Sequence, residues 1–135
     1  MSTDTARSTI TLVTKLAESV QSFHERFGLV GTLDPVELAS RVPIQAEEVR
    51  ELQQAILNEP PDRVAEEAAD VLFVAIGTML RLEPEHAVNA LQQVIAKNDA
   101  KTHETHHFNS AGKIVRRSTT GPASAEVASG GDTGV

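Results

Sequence analysis

The chain has 135 residues, enough for one modest hydrophobic core, and it contains no cysteine, tryptophan or tyrosine. Without cysteine, a disulfide framework, a thiolate zinc site and a cysteine nucleophile are all excluded. The net charge of −7 argues against non-specific binding to nucleic acid, because phosphate neutralisation needs a basic surface. The longest purely apolar run, residues 71–76, is too short to span a bilayer. We therefore expect a cytoplasmic protein with no nucleic-acid or membrane partner.

The first predicted element is an amphipathic helix over about residues 9–27. Its apolar residues recur at spacings of three and four: Val13, Leu16, Val20, Phe23 and Phe27. Residues 1–8 are polar and unpatterned, which predicts a flexible N-terminal tail. Residues 28–43 are rich in glycine and proline and indicate a connection, in which Asp34 and Pro35 can begin a short helical turn.

Three more helices are predicted, over residues 44–57, 61–82 and 84–101. Apolar residues expected to face inward are Val49, Leu52, Ala55 and Ile56 on the second helix, Val64, Ala68, Val71, Ala75 and Met79 on the third, and Ala87, Leu91, Val94 and Ile95 on the fourth. This aliphatic composition favours packed helices over a β-sandwich, so we predict an all-α, four-helix bundle.

The rest of the chain differs in composition and charge. Residues 103–117 lack a helical period and indicate an irregular or hairpin-like extension that ends in a basic cluster. Residues 1–96 carry a net charge of −8, whereas residues 97–117 carry +3. Residues 118–135 are rich in Ser, Thr, Gly and Ala, which predicts a disordered tail. A single folded domain is therefore expected over residues 9–117.

Two helices carry acidic residues beside their apolar stripes. Glu47, Glu48 and Glu51 share one flank of the second helix, and Glu67 and Asp70 share one flank of the third. A single border acid is most often a solvated surface residue. Five acids facing each other, with no Lys or Arg between them on those flanks, would repel strongly unless divalent cations with oxygen ligands were bound.

These acids form the pattern E-E-x-x-E at residues 47–51, followed by E-x-x-D at residues 67–70. In this order on two helices, the pattern resembles the signature of the MazG-like all-α NTP pyrophosphohydrolases. The resemblance implies Mg²⁺ binding, with Mn²⁺ able to substitute, by Glu47, Glu48, Glu51, Glu67 and Asp70. It also implies that a carboxylate activates the attacking water, for which Glu47 and Glu48 are the candidates. Glu66 projects to the opposite side of its helix and is expected to be a surface residue.

The likeness extends over about residues 12–117. The segment FHERFG at 23–28 resembles the end of the family's first helix, and KNDAK at 97–101 resembles its N-x-x-K element. The resemblance implies that Asn98 and Lys101 contact substrate phosphates or support the metal ligands. Further phosphate contacts are expected from basic residues nearby: Lys97, Lys113, Arg116 and Arg117. For the last two, a solvated basic segment is the alternative.

Base recognition and the histidines leave alternatives open. Phe23 and His24 are candidates for contact with the base, against core packing for Phe23 and exposure for His24. The aromatic residues that stack on the base in the family, often Trp or Tyr, are absent from this chain. His103, His106 and His107 lie close together, but a zinc site is disfavoured because no fourth ligand type is at hand. They are expected to be polar loop residues or phosphate contacts.

The implied activity is hydrolysis of a (deoxy)nucleoside triphosphate to the monophosphate and pyrophosphate, which would remove unwanted nucleotides. One alternative is an enzyme like phosphoribosyl-ATP pyrophosphohydrolase, which shares the acid pattern. The other is a non-catalytic helical oligomerisation domain, which would have no reason to direct five carboxylates at one cavity. Because the family forms dimers or dimers of dimers, and so small a bundle leaves apolar surface uncovered, a homodimer or homotetramer is expected.

Overall fold

A computed structural model of the protein describes residues 2–118. These residues form five α-helices, α1 (Thr3–Arg26), α2 (Pro35–Leu38), α3 (Arg41–Asn58), α4 (Pro61–Met79) and α5 (Pro84–Asp99), and two short strands, β1 (His106–Phe108) and β2 (Ile114–Arg116). The predicted all-α class is confirmed. The chain divides into two compact units, residues 1–87 and residues 88 onward, with the boundary inside α5. None of the helices among the described residues is long and apolar enough to cross a membrane.

Helix α1 begins six residues earlier than the sequence pattern predicted. Residues 3–8, expected to belong to a loose tail, are helical because the Ser2 side chain caps the first turn by accepting a hydrogen bond from the Thr5 amide. Asp4 also places a negative charge at the helix N-terminus. The helix ends before Gly28, whose positive φ of 67° lets the chain turn away.

The connection between α1 and α3 contains the predicted helical turn. Asp34 and Glu37 form a reciprocal capping box at α2, and Pro35 occupies its first turn. Helix α3 begins at Arg41 rather than at residue 44, because Pro43 lies in the first turn, where its missing amide hydrogen leaves no helical hydrogen bond unmade. The connection is therefore shorter than the predicted 28–43 segment.

The first unit is organised around α4. The linker of Glu59 and Pro60 joins α3 to α4 and makes them antiparallel neighbours, while α1 also packs against α4. The buried apolar residues described in this unit are small: Val20 on α1 and Ala55 on α3, both fully buried, and Val74 on α4, which is 9% exposed. Gly77 is also buried, since α4 is approached there by side chains from α1 and α3.

The predicted stripes are only partly buried. On α3, Ala55 is buried, whereas Val49 and Ile56 are exposed. On α5 the correction is larger, because three residues expected to face inward, Leu91, Val94 and Ile95, are 52–60% exposed in the monomer. No residue of α5 is buried. The helical period was therefore correctly recognised on α5, but the residues that the structure describes do not cover its apolar stripe.

The irregular segment after α5 is a β-hairpin. Strands β1 and β2 are antiparallel and pair His106 with Arg116, His107 with Val115, and Phe108 with Ile114. Asn109 closes the turn, because its side-chain oxygen accepts hydrogen bonds from the amides of Ala111 and Lys113. The hairpin-like extension is thus confirmed. The predicted disorder of residues 118–135 falls, apart from Ser118, outside the described residues.

Candidate active site

Three acidic side chains from α3 and α4 meet at one point. Glu48 of α3 and Glu67 and Asp70 of α4 each direct a carboxylate oxygen so that the three oxygens lie within 4.8 Å of one another. Glu67 and Asp70 are three residues apart and so share one side of α4. The side chain of Glu67 is buried, that of Glu48 is half-buried and that of Asp70 is exposed. The cluster therefore opens to solvent on the Asp70 side.

Hydrogen bonds between α3 and α4 set the register that brings these acids together. Arg41 donates to the backbone oxygen of Val74 (2.9 Å) and to the hydroxyl of Thr78 (3.0 Å). One turn further along α3, Gln45 donates to the backbone oxygen of Val71 (3.3 Å). Because the helices are antiparallel, the next position on this side of α3, Glu48, comes opposite Asp70 and Glu67.

Burial and mutual repulsion disfavour the charged forms of these acids. The pKa of Glu48 is raised, first by burial and then by the negative charges of Glu51, Asp70, Glu47 and Glu67. Burial is also the largest cause of the raised pKa of Glu67, which is 6% exposed. Such an arrangement costs free energy in the absence of a cation.

Glu47 and Glu51 lie near this cluster without joining its closest part. Their charges contribute to the raised pKa of Glu48, so both are within electrostatic range of it. Both side chains are exposed, and neither places an oxygen among the three that converge. The structure thus brings together Glu48, Glu67 and Asp70, and it leaves the metal-ligand roles of Glu47 and Glu51 as predictions.

A guanidinium lies beside the acids, contrary to the expectation that no Lys or Arg would intervene. Arg63, one turn before Glu67 on α4, donates to Glu67 Oε1 at 2.6 Å and also forms ion pairs with Glu59 and Glu66. Glu66 is exposed, as expected, but it is one of the partners of Arg63. The i, i+3 and i, i+4 spacings of Arg63, Glu66 and Glu67 are visible in the sequence and could have identified this network.

The donor set fits a hard divalent cation. Glu48 Oε2 and Glu67 Oε2 are inaccessible to solvent, and neither has a hydrogen-bond partner within the described part of the chain. Buried carboxylate oxygens without partners are costly, whereas Mg²⁺ and related cations prefer such oxygen ligands and leave other positions to water or substrate phosphates. Arg63 occupies only the other oxygen of Glu67. The residues present therefore fit a metal ion.

The two residues predicted to contact a base lie at the end of α1. Phe23 packs edge-on against Phe73 of α4, with ring centroids 5.4 Å apart. Phe27 lies 4.8 Å from it, and the Arg26 guanidinium lies over its ring at 5.9 Å. His24 is only 5% exposed, so the alternative of an exposed histidine is wrong. The His24 ring lies against Gly77 and near Arg41. Packing thus accounts for His24, and Phe23 remains half-buried with one part accessible.

The predicted phosphate-binding residues belong to the second unit. Asn98 is exposed and donates to the backbone oxygen of Val94 in its own helix (2.9 Å). Lys97 is exposed, whereas Lys101 is half-buried. The pKa of Lys101 is lowered, first by burial and then by the charges of Lys97 and Lys113. These lysines form a cationic group at the end of α5.

The basic residues of the hairpin have different environments. Lys113 and Arg116 are exposed, on the turn and on β2 respectively. Arg117 donates from Nε to the backbone oxygen of His103 (2.7 Å), and its amide donates to the backbone oxygen of Thr105. Arg117 therefore helps to close the base of the hairpin, a structural role that its position in a basic cluster did not indicate.

The carboxylate cluster between two antiparallel helices of this all-α chain is an arrangement that can hold a divalent cation. The family model of the MazG nucleotide pyrophosphohydrolase domain matches residues 37–108, just over half of the chain. The chain belongs to this family, and the predicted resemblance is confirmed. The match includes α3, α4 and all three converging acids. Neither curated proteins nor solved structures gave a match to the chain.

Proposed function

We propose that this protein is a Mg²⁺-dependent nucleoside triphosphate pyrophosphohydrolase, which converts a (deoxy)nucleoside triphosphate to the monophosphate and pyrophosphate. The observation that carries the proposal is the convergence of Glu48, Glu67 and Asp70, with buried unpartnered oxygens, within a MazG nucleotide pyrophosphohydrolase domain. Removal of surplus or unwanted nucleotides in the cytoplasm is the role that this activity would serve. Mn²⁺ has the same preference for carboxylate ligands and is expected to substitute.

In the proposed mechanism, Glu48, Glu67 and Asp70 would hold the cation, and Glu51 and Glu47 are further candidate ligands. When bound, the cation supplies charge neutralisation on the phosphate oxygens and lowers the pKa of water. Glu47 or Glu48 accepts the proton of the attacking water.

Cationic residues of the second unit are assigned to the phosphates of the substrate. Lys97, Lys101, Lys113 and Arg116 provide a net positive segment in an otherwise acidic protein, and Asn98 belongs to the same N-x-x-K element. Lysine and arginine stabilise the charge of a leaving pyrophosphate, and arginine can pair with it through two hydrogen bonds. Arg117 is a weaker candidate, since its Nε is already used by His103. The accessible part of Phe23 is the candidate for base contact.

We also propose that the functional form is a homodimer or homotetramer. Four large apolar residues of α5, namely Val88, Leu91, Val94 and Ile95, are 52–60% exposed. Monomeric proteins seldom expose so many apolar residues along one element, and such surfaces usually mark interfaces. Sedimentation of the purified chain should give at least twice the monomer mass, and replacing Leu91 and Ile95 with serine should reduce it.

Chromatography of a digest tests the proposed reaction. We expect a nucleoside triphosphate with Mg²⁺ to yield monophosphate and pyrophosphate, with no diphosphate accumulating and no orthophosphate until a pyrophosphatase is added. A panel of common and damaged nucleoside triphosphates, with dUTP and dCTP included, addresses the unknown base. Phosphoribosyl-ATP serves as the comparison substrate.

The outcomes separate the alternatives. Release of diphosphate and orthophosphate would contradict the assignment. Cleavage of phosphoribosyl-ATP alone would favour the alternative enzyme with the same acid pattern. Absence of turnover on every substrate, together with no effect of Mg²⁺ on stability, would favour a non-catalytic oligomerisation domain.

A further inference from the structure

Arg63 lies in the first turn of α4, in direct contact with one of the three converging acids. Its guanidinium uses all three of its nitrogens: Nε pairs with Glu59 at 3.4 Å, Nη1 with Glu66, and Nη2 with Glu67 at 2.6 Å. Glu59 comes just before α4, whereas Glu66 and Glu67 lie within it. The guanidinium is thus held by residues on both sides of it in the chain, and its planar fork has little freedom to turn.

The three ion pairs differ in their exposure to water. The side chains of Glu59 and Glu66 are 36% and 62% exposed, whereas that of Glu67 is 8% exposed. Exposed ion pairs contribute little to stability, because water and salt screen the charges. The hydrogen bond to Glu67 is charge-assisted and its carboxylate is shielded from water, so it is the strongest of the three. The main consequence of these contacts is therefore a fixed orientation of the Glu67 carboxylate.

This orientation gives the two oxygens of Glu67 different environments. Oε1 accepts the hydrogen bond from Arg63 Nη2, whereas Oε2 is inaccessible to solvent and has no partner within residues 2–118. The acids converge so that one oxygen from each of Glu48, Glu67 and Asp70 lies within 4.8 Å of the others. Glu67 thus has one oxygen free for a cation. Binding through both oxygens would bring the cation closer to the guanidinium and weaken the ion pair.

The number of oxygens that a carboxylate offers affects which cation it binds. Mg²⁺ requires a nearly regular octahedron of oxygens at about 2.0–2.1 Å, whereas Ca²⁺ accepts six to eight oxygens at about 2.3–2.6 Å and often binds both oxygens of one carboxylate. The two oxygens of one carboxylate lie too close together to occupy neighbouring corners of a regular octahedron. A carboxylate restricted to one oxygen therefore costs Mg²⁺ nothing and deprives Ca²⁺ of a ligand.

We propose that Arg63 is a positioning residue that favours Mg²⁺ over Ca²⁺, because it holds Glu67 Oε1 and leaves Oε2 alone for the cation. The inference rests on the proposed function, which requires the cation. Arg63 acts through Glu67 and has no contact with the cation itself. Its positive charge opposes every cation nearby, but this repulsion is similar for two ions of equal charge and largely cancels in the ratio of their affinities. The quantity that Arg63 determines is thus the ratio.

Electron paramagnetic resonance of Mn²⁺ with the full-length protein measures this ratio without turnover. The signal of free aqueous Mn²⁺ reports binding, and its recovery on addition of Mg²⁺ or Ca²⁺ gives the dissociation constant of each competing ion. In Arg63→Met, the Ca²⁺ constant divided by the Mg²⁺ constant should fall by at least about tenfold, as is typical when a residue that orients a metal ligand is lost. Arg50→Met is the matched control. Arg50 is exposed on α3, so this change removes the same charge without freeing Glu67, and the ratio should not change.

Circular dichroism verifies that each variant is folded, and Arg63→Gln is the second variant should Arg63→Met unfold. Glutamine is a good helix former and removes the same ion pair from a side chain that is 46% exposed. An unchanged ratio in a folded Arg63 variant, while the original chain binds Mn²⁺ and releases pyrophosphate, overturns the inference and leaves the proposed function intact. An equal fall in Arg50→Met overturns it too, since charge alone would then explain the effect. No Mn²⁺ binding by the original chain would overturn both.

Discussion

Two groups of titratable side chains lie against the two halves of α4, and their surroundings differ. In the first half, Glu67 meets Glu48 and Asp70, and one buried oxygen on each of Glu48 and Glu67 lacks a partner among the described residues. In the second half, Gly77 is approached by Arg41 and His24, and Arg41 is bonded to the α4 backbone and to Thr78. Arg41 of the second group thus joins α3 to α4, although His24 Nδ1 is also buried without a hydrogen-bond partner among the described residues. The acids differ in that their repulsion would be relieved by a bound cation.

The titration behaviour of the two groups explains this difference. The pKa of His24 is lowered, first by burial and then by the charges of Arg41 and Arg81, so His24 is favoured as the neutral form and avoids repulsion. The charges of the acids are offset only in part, by the ion pair of Arg63 with Glu67, and their remaining repulsion is relieved by protons or by a cation. Helix α4 thus borders a packing site at Gly77 and a candidate binding site at Glu67 and Asp70. In the packing site repulsion is avoided because His24 is neutral, whereas in the acidic cluster part of the negative charge remains to be neutralised by a ligand.

The largest expected effect is the loss of turnover when an acid of the cluster of Glu48, Glu67 and Asp70 is replaced. Glu48→Gln should reduce turnover of the preferred nucleoside triphosphate by at least about 100-fold, since it removes a charged ligand and the proposed base while preserving shape. The metal-free variant should be at least as stable as the original, because repulsion is relieved. Steady-state kinetics and urea unfolding measure the two effects. Glu66→Gln, an exposed neighbour on α4, is the control and should remain within about twofold. A folded Glu48→Gln protein with normal turnover would refute the metal site.

The next largest effect is a loss of stability on substitution of Gly77, where Arg41 and His24 pack against α4. A Cβ at position 77 would lie 2.8 Å from Arg41 Nη2 and 2.8 Å from His24 Nε2. Overpacking costs about 1–3 kcal/mol, and the better helix propensity of alanine returns about 1 kcal/mol. Gly77→Ala should therefore lower the free energy of unfolding by up to about 2 kcal/mol, measured in urea. In a His24→Ala background the cost should be smaller. An equal cost in both backgrounds would show that His24 does not cause it.

A smaller effect comes from the cation itself. A ligand that binds only the native state stabilises it by about 1.4 kcal/mol when its free concentration is ten times Kd. Mg²⁺ and Mn²⁺ should therefore raise the Tm, EDTA should reverse the shift, and Asp70→Asn should abolish most of it. Gly77→Ala, although destabilised, should keep the full metal-dependent increase. Loss of the increase in Gly77→Ala would show that the two halves of α4 are not independent.

The smallest effect is the pH dependence contributed by His24. Because its pKa is lowered in the folded state, the unfolded chain takes up the proton more readily. Its contribution to stability is therefore complete above the unfolded value of about 6.5 and is lost as the pH falls from there towards the folded pKa. Urea midpoints of the original chain should decrease over this range more steeply than those of His24→Gln. Parallel curves would contradict the burial of a neutral imidazole.

The helices and the acid pattern could be predicted from the sequence because both depend on local spacing. The positions of Glu48, Glu67 and Asp70 follow from the helical period and the antiparallel order of two consecutive helices. Element boundaries were less predictable. The cap at Ser2 extended α1, and the tolerance of the first helical turn for Pro43 moved the start of α3.

Tertiary packing determined what the sequence did not reveal. The contacts of Arg41 with Val74 and Thr78, and the approach of His24 to Gly77, depend on how three helices meet. The exposure of Leu91 and Ile95 depends on whether another surface covers α5, which a helical period does not specify. The Arg63 network, in contrast, is local and was available from spacing alone.

That network also bears on the order of events in folding. Arg63 and Glu67 are one turn apart, so their ion pair forms as soon as α4 becomes helical. Glu48 approaches Asp70 and Glu67 only when α3 docks, so the repulsion from these two acids arises on docking, whereas that from Glu51 and Glu47 is present within α3 itself. Helix formation in α4 should be insensitive to divalent ions. Docking of α3 against α4 should be faster when a cation is present, because the cation offsets the repulsion between their carboxylates. The same carboxylates therefore affect the rate at which the two helices assemble.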